Sequence, residues 1–237
     1  MTKTVIVLGM HRSGTSMISG VLSILGLNIG DIIKGRYEYN PFGYFEDQNF
    51  LKLNNEILKS AGGHPFDPPD EKSILIQAEK FKEEIEKILK NKPELWGWKD
   101  PRTSLTIELY LPYLTNAYFI VCHRKPEEVA ESLYRKYKMD FEKSLKIKKI
   151  YDLRIENFFS KFPELKRIDL YYNKIIENPM ESLKKIGDFL NIEITDKQYK
   201  ESLKFILPNK KIRKISRRIK RKTKIKKLLK KFKIISN

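Results

Sequence analysis

The run Thr4-Val5-Ile6-Val7-Leu8, followed at once by Gly9-Met10-His11-Arg12-Ser13-Gly14-Thr15-Ser16, constrains this chain more than any other feature. A short, continuous, β-branched run suits a strand buried on both faces, as in a parallel sheet. Residues 15–25 read as a helix, so the order is strand, tight glycine loop, helix. The spacing G-x-x-x-x-G-x-S in that setting is a phosphate cradle: successive backbone N–H groups and the helix N-terminus converge on one anion. Gly9 and Gly14 allow the tight path, since a Cβ would crowd the loop or its ligand. An ATPase or kinase loop needs lysine before its final Ser/Thr, and here that position is Thr15. The cation is Arg12, inside the loop, so the loop can hold a phosphate but lacks the lysine that serves γ-phosphoryl transfer. His11, Arg12, Ser13, Gly14, Thr15 and Ser16 are the candidate anion ligands.

The rest of the chain repeats the alternation. Strands are expected at residues 95–98, 117–122 and 168–172. Helices are expected from near Asp47, over 71–91, 127–138, 142–161 and 180–190. Residues 28–50 read as a long loop rich in Gly, Asn, Pro and aromatic residues, and 62–69 as a Pro/Gly connection. Alternating strands and helices predict an α/β, P-loop-like, three-layer fold with a mostly parallel central sheet.

Charge divides the chain in two. Of 48 Lys and Arg, 15 lie in residues 208–237, which hold no Asp or Glu; residues 1–207 carry 33 basic against 30 acidic residues. The expected division is therefore a body, 1–207, and a basic tail, 208–237. Ile212, Ile215, Ile219, Ile225, Leu228, Leu229 and Phe232 space an amphipathic stripe along that tail. Adsorption to an anionic membrane, nucleic-acid contact and a solvated tail all fit it. The single cysteine, Cys122, forbids an internal disulfide. No leader-like segment precedes the first strand and no run reaches the ~20 apolar residues of a membrane span. The expectation is a cytoplasmic protein, peripheral at the inner membrane face if the tail adsorbs. His11, His64 and His123 are scattered without metal-ligand spacing, so no metal is expected.

A second motif follows the strand at 117–122: Arg124-Lys-Pro-Glu-Glu-Val-Ala-Glu-Ser132. Arg124 stands at the carboxyl end of a strand, where open α/β sheets bind ligands, and Ser132 lies two helical turns on, able to share an anion with it. VIVLGMHRSGTS resembles the 5′-phosphosulfate loop of sulfotransferases that use 3′-phosphoadenosine 5′-phosphosulfate (PAPS), above all the arginine-bearing loops of bacterial members. R-x-P-x-x-V-A-x-S is similar to the 3′-phosphate motif of that family. Residues 171–191 resemble its late Y-E-D segment, with Asn173-Lys174 where the acidic pair usually stands. The resemblance runs from Thr4 to about Asn191.

The resemblance implies transfer of a sulfuryl group from PAPS to a hydroxyl or amine, with a carbohydrate or glycolipid as the expected acceptor, PAP as product and no metal. It makes Arg12 the cation at the bridging oxygen and Lys99, in Trp96-Gly-Trp-Lys-Asp-Pro-Arg102, the second. The segment Asn40 to Asp47 resembles a bacterial N-P-x-G-Y-F/W-E-D stretch, and related heparan and tyrosine enzymes use a glutamate from the region after the first helix as base, which points to Glu46, with Asp100 and Asp47 as alternatives; Asp47 also suits a helix cap. Arg102 suits either an anion or a structural ion pair. Trp96, Trp98 and the aromatics at 37–45 are candidates for an acceptor wall or for core. Lys210, Lys211 and Arg213 are further candidates for the 3′-phosphate. A nucleotide kinase or NTPase is opposed by Thr15, and a nucleic-acid module by the near-neutral body.

Overall fold

A computed structural model describes residues 2–30 and 45–207. The aromatics at 37–44 and the basic tail, with Lys210, Lys211 and Arg213, lie outside the described residues. In chain order the elements are β1 (Lys3–Leu8), α1 (Thr15–Ile24), α2 (Gln48–Ser60), α3 (Glu71–Leu75), α4 (Ala78–Leu89), β2 (Leu95–Lys99), α5 (Thr103–Tyr110), β3 (Ala117–His123), α6 (Pro126–Tyr137), α7 (Phe141–Lys161), β4 (Lys166–Tyr171), α8 (Tyr172–Glu177), α9 (Pro179–Leu190) and α10 (Asp196–Ile206).

The described sheet is four-stranded and parallel throughout, in the order β2-β1-β3-β4. Val5 lies beside Gly97 on one flank and Tyr118 on the other. Period-two alternation sends Ile6, Leu8, Trp96, Trp98, Phe119 and Val121 into one core with α2, α5, α6 and α7. Val5, Val7, Ile120 and Cys122 enter the other, with α1, α9 and α10. Two apolar faces covered by two helical layers make the expected three-layer α/β fold.

Trp96 and Trp98 belong to the first core. The Trp98 ring stacks on Phe50 at 4.3 Å and lies 5.6 Å from Trp96, and both tryptophans are buried. Residues two apart in a strand share a face, and this face is covered, so neither lines an acceptor pocket.

The helix expected over 71–91 is two helices. Asp70 caps α3 by accepting from the Ser73 N–H, and the backbone turns at Ile76 and Gln77. The break lets α3 pack on α5 while α4 packs on α2, and leaves Ile76 69% exposed at the corner. Three helices, α5, α8 and α10, have no counterpart among the expected elements. Seven of the eight residues of α5 are buried, so its sequence carries no amphipathic period. α10 does carry a readable signal, the capping box of Thr195 and Gln198.

Candidate active site

The carboxyl ends of β1, β2 and β3 lead into the candidates other than Glu46 and Asp47, at the start of α2, and Ser132, on α6. The loop after β1 takes its shape from three left-handed residues: Gly9 (φ 136°), Arg12 (φ 72°) and Gly14 (φ 96°). A Cβ on Gly9 would fall 2.7 Å from the Cys122 carbonyl oxygen, and one on Gly14 would fall 2.8 Å from the Tyr172 ring. Ser104 Oγ accepts from the Gly9 N–H at 2.9 Å and pins the loop to α5. Among the described residues no side chain caps the N-terminus of α1. Ser13 Oγ and His11 Nε2 are buried in the loop without a hydrogen-bond partner among the described residues. Uncapped N–H groups beside an orphaned hydroxyl fit an anion such as a 5′-phosphosulfate.

Arg124 stands immediately after β3. Its Nη1 donates to the Arg12 carbonyl oxygen at 3.1 Å and its Nε to Glu128 at 2.9 Å, while its guanidinium lies 4.2 Å over the Tyr172 ring. Glu128 is oriented by Asn173, which donates to it at 3.1 Å. Both hydrogen bonds hold the Glu128 carboxyl below its ordinary value, the Asn173 bond first. Asn173 thus has a polar role although it departs from the expected acidic pair. Ser132 Oγ accepts from Arg12 Nε at 2.9 Å. Arg12 therefore touches both halves of the second motif, its main chain at Arg124 and its side chain at Ser132.

The third group gathers at the end of β2. Lys99 Nζ donates to Glu46 Oε1 at 2.8 Å and lies 3.4 Å from Ser16 Oγ, with both charged side chains almost sealed from solvent. Burial lowers the proton affinity of Lys99, against the opposing pull of Glu46 and Asp100. Glu46 is thus a buried counter-ion rather than a solvated loop charge, and its second oxygen faces Arg102 at 3.9 Å.

The two alternative carboxylates have other work. Asp100, fully buried, accepts from the Arg102 guanidinium at 2.7 Å and from Asn54 at 2.9 Å. Asp47 caps α2, accepting from the Asn49 and Phe50 N–H groups. Asn54 is a hub that sequence reasoning missed: it bonds Asp100 and Thr103 through Nδ2 and accepts from Thr106 and Tyr110 through Oδ1. Arg102 makes the structural ion pair, with Asp100, and also donates to Asn55 at 2.7 Å. Burial opposes its charge, but Asp100 and Glu46 outweigh burial and raise its pKa.

The sulfotransferase family model matches residues 4–196, most of the chain. The chain belongs to the sulfotransferase family. Among solved structures it is similar to the sulfotransferase domain of the curacin biosynthetic pathway, at 17% identity and a TM-score of 0.52, over 88% of this chain and 79% of that one. It is likewise similar to the sulfotransferase domain of the Synechococcus PCC 7002 olefin synthase, at 17% identity and a TM-score of 0.53, over 84% and 76%. Sulfotransferase STF9 from Mycobacterium avium matches at 16% identity and a TM-score of 0.50, over 85% and 67%. At such identities the likeness is one of fold. A search among curated proteins finds no match. In this chain the loop after β1, the Arg124–Ser132 pair and the Lys99–Glu46 pair meet at one sheet edge.

Proposed function

We propose that this sulfotransferase moves a sulfuryl group from PAPS to a hydroxyl of a carbohydrate or glycolipid. The observation that carries the reading is the double engagement of Arg12, by Arg124 at its carbonyl and by Ser132 at its side chain. It joins the cradle for a 5′-phosphosulfate to the pair suited to a 3′-phosphate, and a nucleotide with both groups would span the join. Residues 11–16 hold the 5′ end through backbone N–H groups and the Ser13 hydroxyl. Arg124 and Ser132 hold the 3′-phosphate.

In an in-line displacement the acceptor oxygen attacks sulfur, the bond from sulfur to the bridging oxygen breaks, and PAP leaves with that electron pair. Arg12 and Lys99 supply the cations that stabilise charge building on the bridging oxygen. Arg12 stays charged throughout and works by charge and hydrogen bonding alone. Lys99 reaches Ser16, in the first turn of α1 beside the loop, which supports a role for its ammonium at the phosphosulfate end. Glu46 keeps Lys99 in that place; with Oε1 on Lys99 and Oε2 facing Arg102, it serves as counter-ion before it can serve as base. The proposed chemistry calls for no metal.

Residues 1–207 are the proposed catalytic domain and the basic tail a peripheral contact to anionic lipid in the cytoplasm, near lipid-linked glycans. No described helix is long and apolar enough to cross a membrane. The test is calorimetry with PAP, AMP and ATP, followed by ³⁵S transfer from labelled PAPS to glycans, glycolipids and peptides. Preference for PAP, lost in Arg124→Ala, supports the reading, and equal binding of AMP overturns the donor. Label on peptides alone overturns the acceptor class.

A further inference from the structure

Asn54, on α2, is sealed from solvent, yet its amide makes four hydrogen bonds. Its Nδ2 donates to Asp100 Oδ2 at 2.9 Å and to Thr103 Oγ1 at 3.1 Å, and its Oδ1 accepts from Thr106 at 2.6 Å and from Tyr110 at 2.9 Å. Burial first, and Asp100 after it, hold the Tyr110 phenol well above its ordinary value, so it stays protonated and donates. A flipped amide would turn its oxygen on the Asp100 carboxylate, acceptor against acceptor, so the group has one favourable sense.

Each oxygen of Asp100 has its own partner. Oδ2 takes Asn54, and Oδ1 takes the Arg102 main-chain N–H at 3.2 Å and its Nη1 at 2.7 Å. Asn55, beside Asn54 on α2, accepts from Arg102 Nε at 2.7 Å. The guanidinium, gripped on two sides, faces Glu46 Oε2 at 3.9 Å, while Glu46 Oε1 accepts from Lys99. Glu46 stands two residues before α2. The contacts therefore form a ring: they leave α2 at Asn54, pass through Asp100 and Arg102, and return to the head of the same helix at Glu46, with Lys99 held on that last member.

Resting on the reading of Lys99 as a cation at the bridging oxygen, we infer that Asn54 is a positioning residue for sulfuryl transfer: by fixing the rotation of the Asp100 carboxylate it sets Arg102 against Glu46, and so keeps the Lys99 ammonium beside Ser16. An apolar side chain could cover α5 as well as Asn54 does, but it could not give a buried carboxylate a direction. Without the amide donor, Asp100 Oδ2 loses its described partner, and the carboxylate is free to turn both oxygens on Arg102 and draw the guanidinium from Glu46. Asp100 also acts on Lys99 directly, adding to the pull by which Glu46 opposes the effect of burial.

The probe is ³⁵S-labelled PAPS with water as acceptor, in single turnover with enzyme in excess, beside PAP calorimetry and thermal melts. Asn54→Leu keeps the approximate shape and removes the donor, and release of labelled sulfate per folded molecule should slow about 10- to 100-fold. PAP affinity should change less than about threefold, because the loop binds the donor through its backbone. In a Lys99→Met background, already slow, adding Asn54→Leu should slow the reaction less than about threefold further, since the group it positions is gone. Slowing by the same factor in both backgrounds marks a merely structural residue and overturns the inference. So does an Asn54→Leu rate near wild type, or PAP affinity falling in step with rate. Should Asn54→Leu fail to fold, Asn54→Ser, which leaves room for water beside Asp100, goes through the same cycle and decides. A wild-type rate in Lys99→Met overturns the cation role of Lys99, and failure of the wild type to bind PAP overturns the donor reading; either result takes this inference with it.

Discussion

The ammonium of Lys99 and the carboxylate of Glu46, 53 positions apart in the chain, meet at 2.8 Å with both side chains shielded from water. Two buried charges gain from each other only while both remain, because the desolvation of each is offset by its partner. Glu46→Gln leaves the Lys99 ammonium with Asp100 as its remaining source of negative charge, and burial then depresses its proton affinity further. The expected loss is about 3 kcal/mol of stability with a fall in sulfuryl transfer. Urea melts and single-turnover assays check it, and Glu46→Gln combined with Lys99→Met should recover the stability but not the rate.

Gly14 sits at φ 96°, with the Tyr172 ring 2.8 Å from where a Cβ would be. Gly14→Ala must therefore strain the backbone by about 1–3 kcal/mol or push Tyr172 off Arg124. Either result weakens the link between the two proposed anion sites. PAP affinity should fall at least tenfold by calorimetry, and Gly14→Ala with Tyr172→Ala should regain part of the stability.

Asp169 gives a pH dependence with a defined sign. Burial opposes its charge, but the hydrogen bonds from His123 and Arg167 outweigh burial and lower its carboxyl from 3.8 to about 2. A depressed carboxyl stabilises the fold above its unfolded value and ceases to do so as pH falls through the folded value. Wild type should therefore melt higher than Asp169→Asn at pH 6, with the gap closing between about pH 4 and pH 2. A gap that stays constant across that window would mean that the carboxylate charge is irrelevant to stability.

Cys122 lies at the end of β3, buried against the phosphate loop, and burial pushes its thiol up to about 12. A thiol so raised and so covered is almost entirely protonated at pH 8 and closed to reagents. Native protein should resist iodoacetamide for hours by intact-mass measurement, then take up one equivalent once unfolded in urea.

The local alphabet of the chain is enough for much of this architecture. β-branched runs mark β1 and β3 because only a strand covered on both faces accepts such a sequence. The loop from Gly9 to Ser16 and the Arg124–Ser132 spacing are legible because each is a local pattern, carried by a few residues close together in the chain. α5 is the opposite case: buried on nearly every side, it has no polar face to betray its period.

Three acidic residues, Glu46, Asp47 and Asp100, stand equal as strings of letters, and folding gives them three duties: counter-ion to Lys99, cap of α2, anchor of Arg102. The Asn54 hub and the packing of Phe66 on His11 likewise join segments 46 to 56 residues apart. Such pairings arise when strands and helices close around a common core, a long-range event whose partners leave no period, spacing or composition in either stretch of chain. Residue chemistry thus supplied the two local motifs, and chain topology chose which charges would face one another beside them.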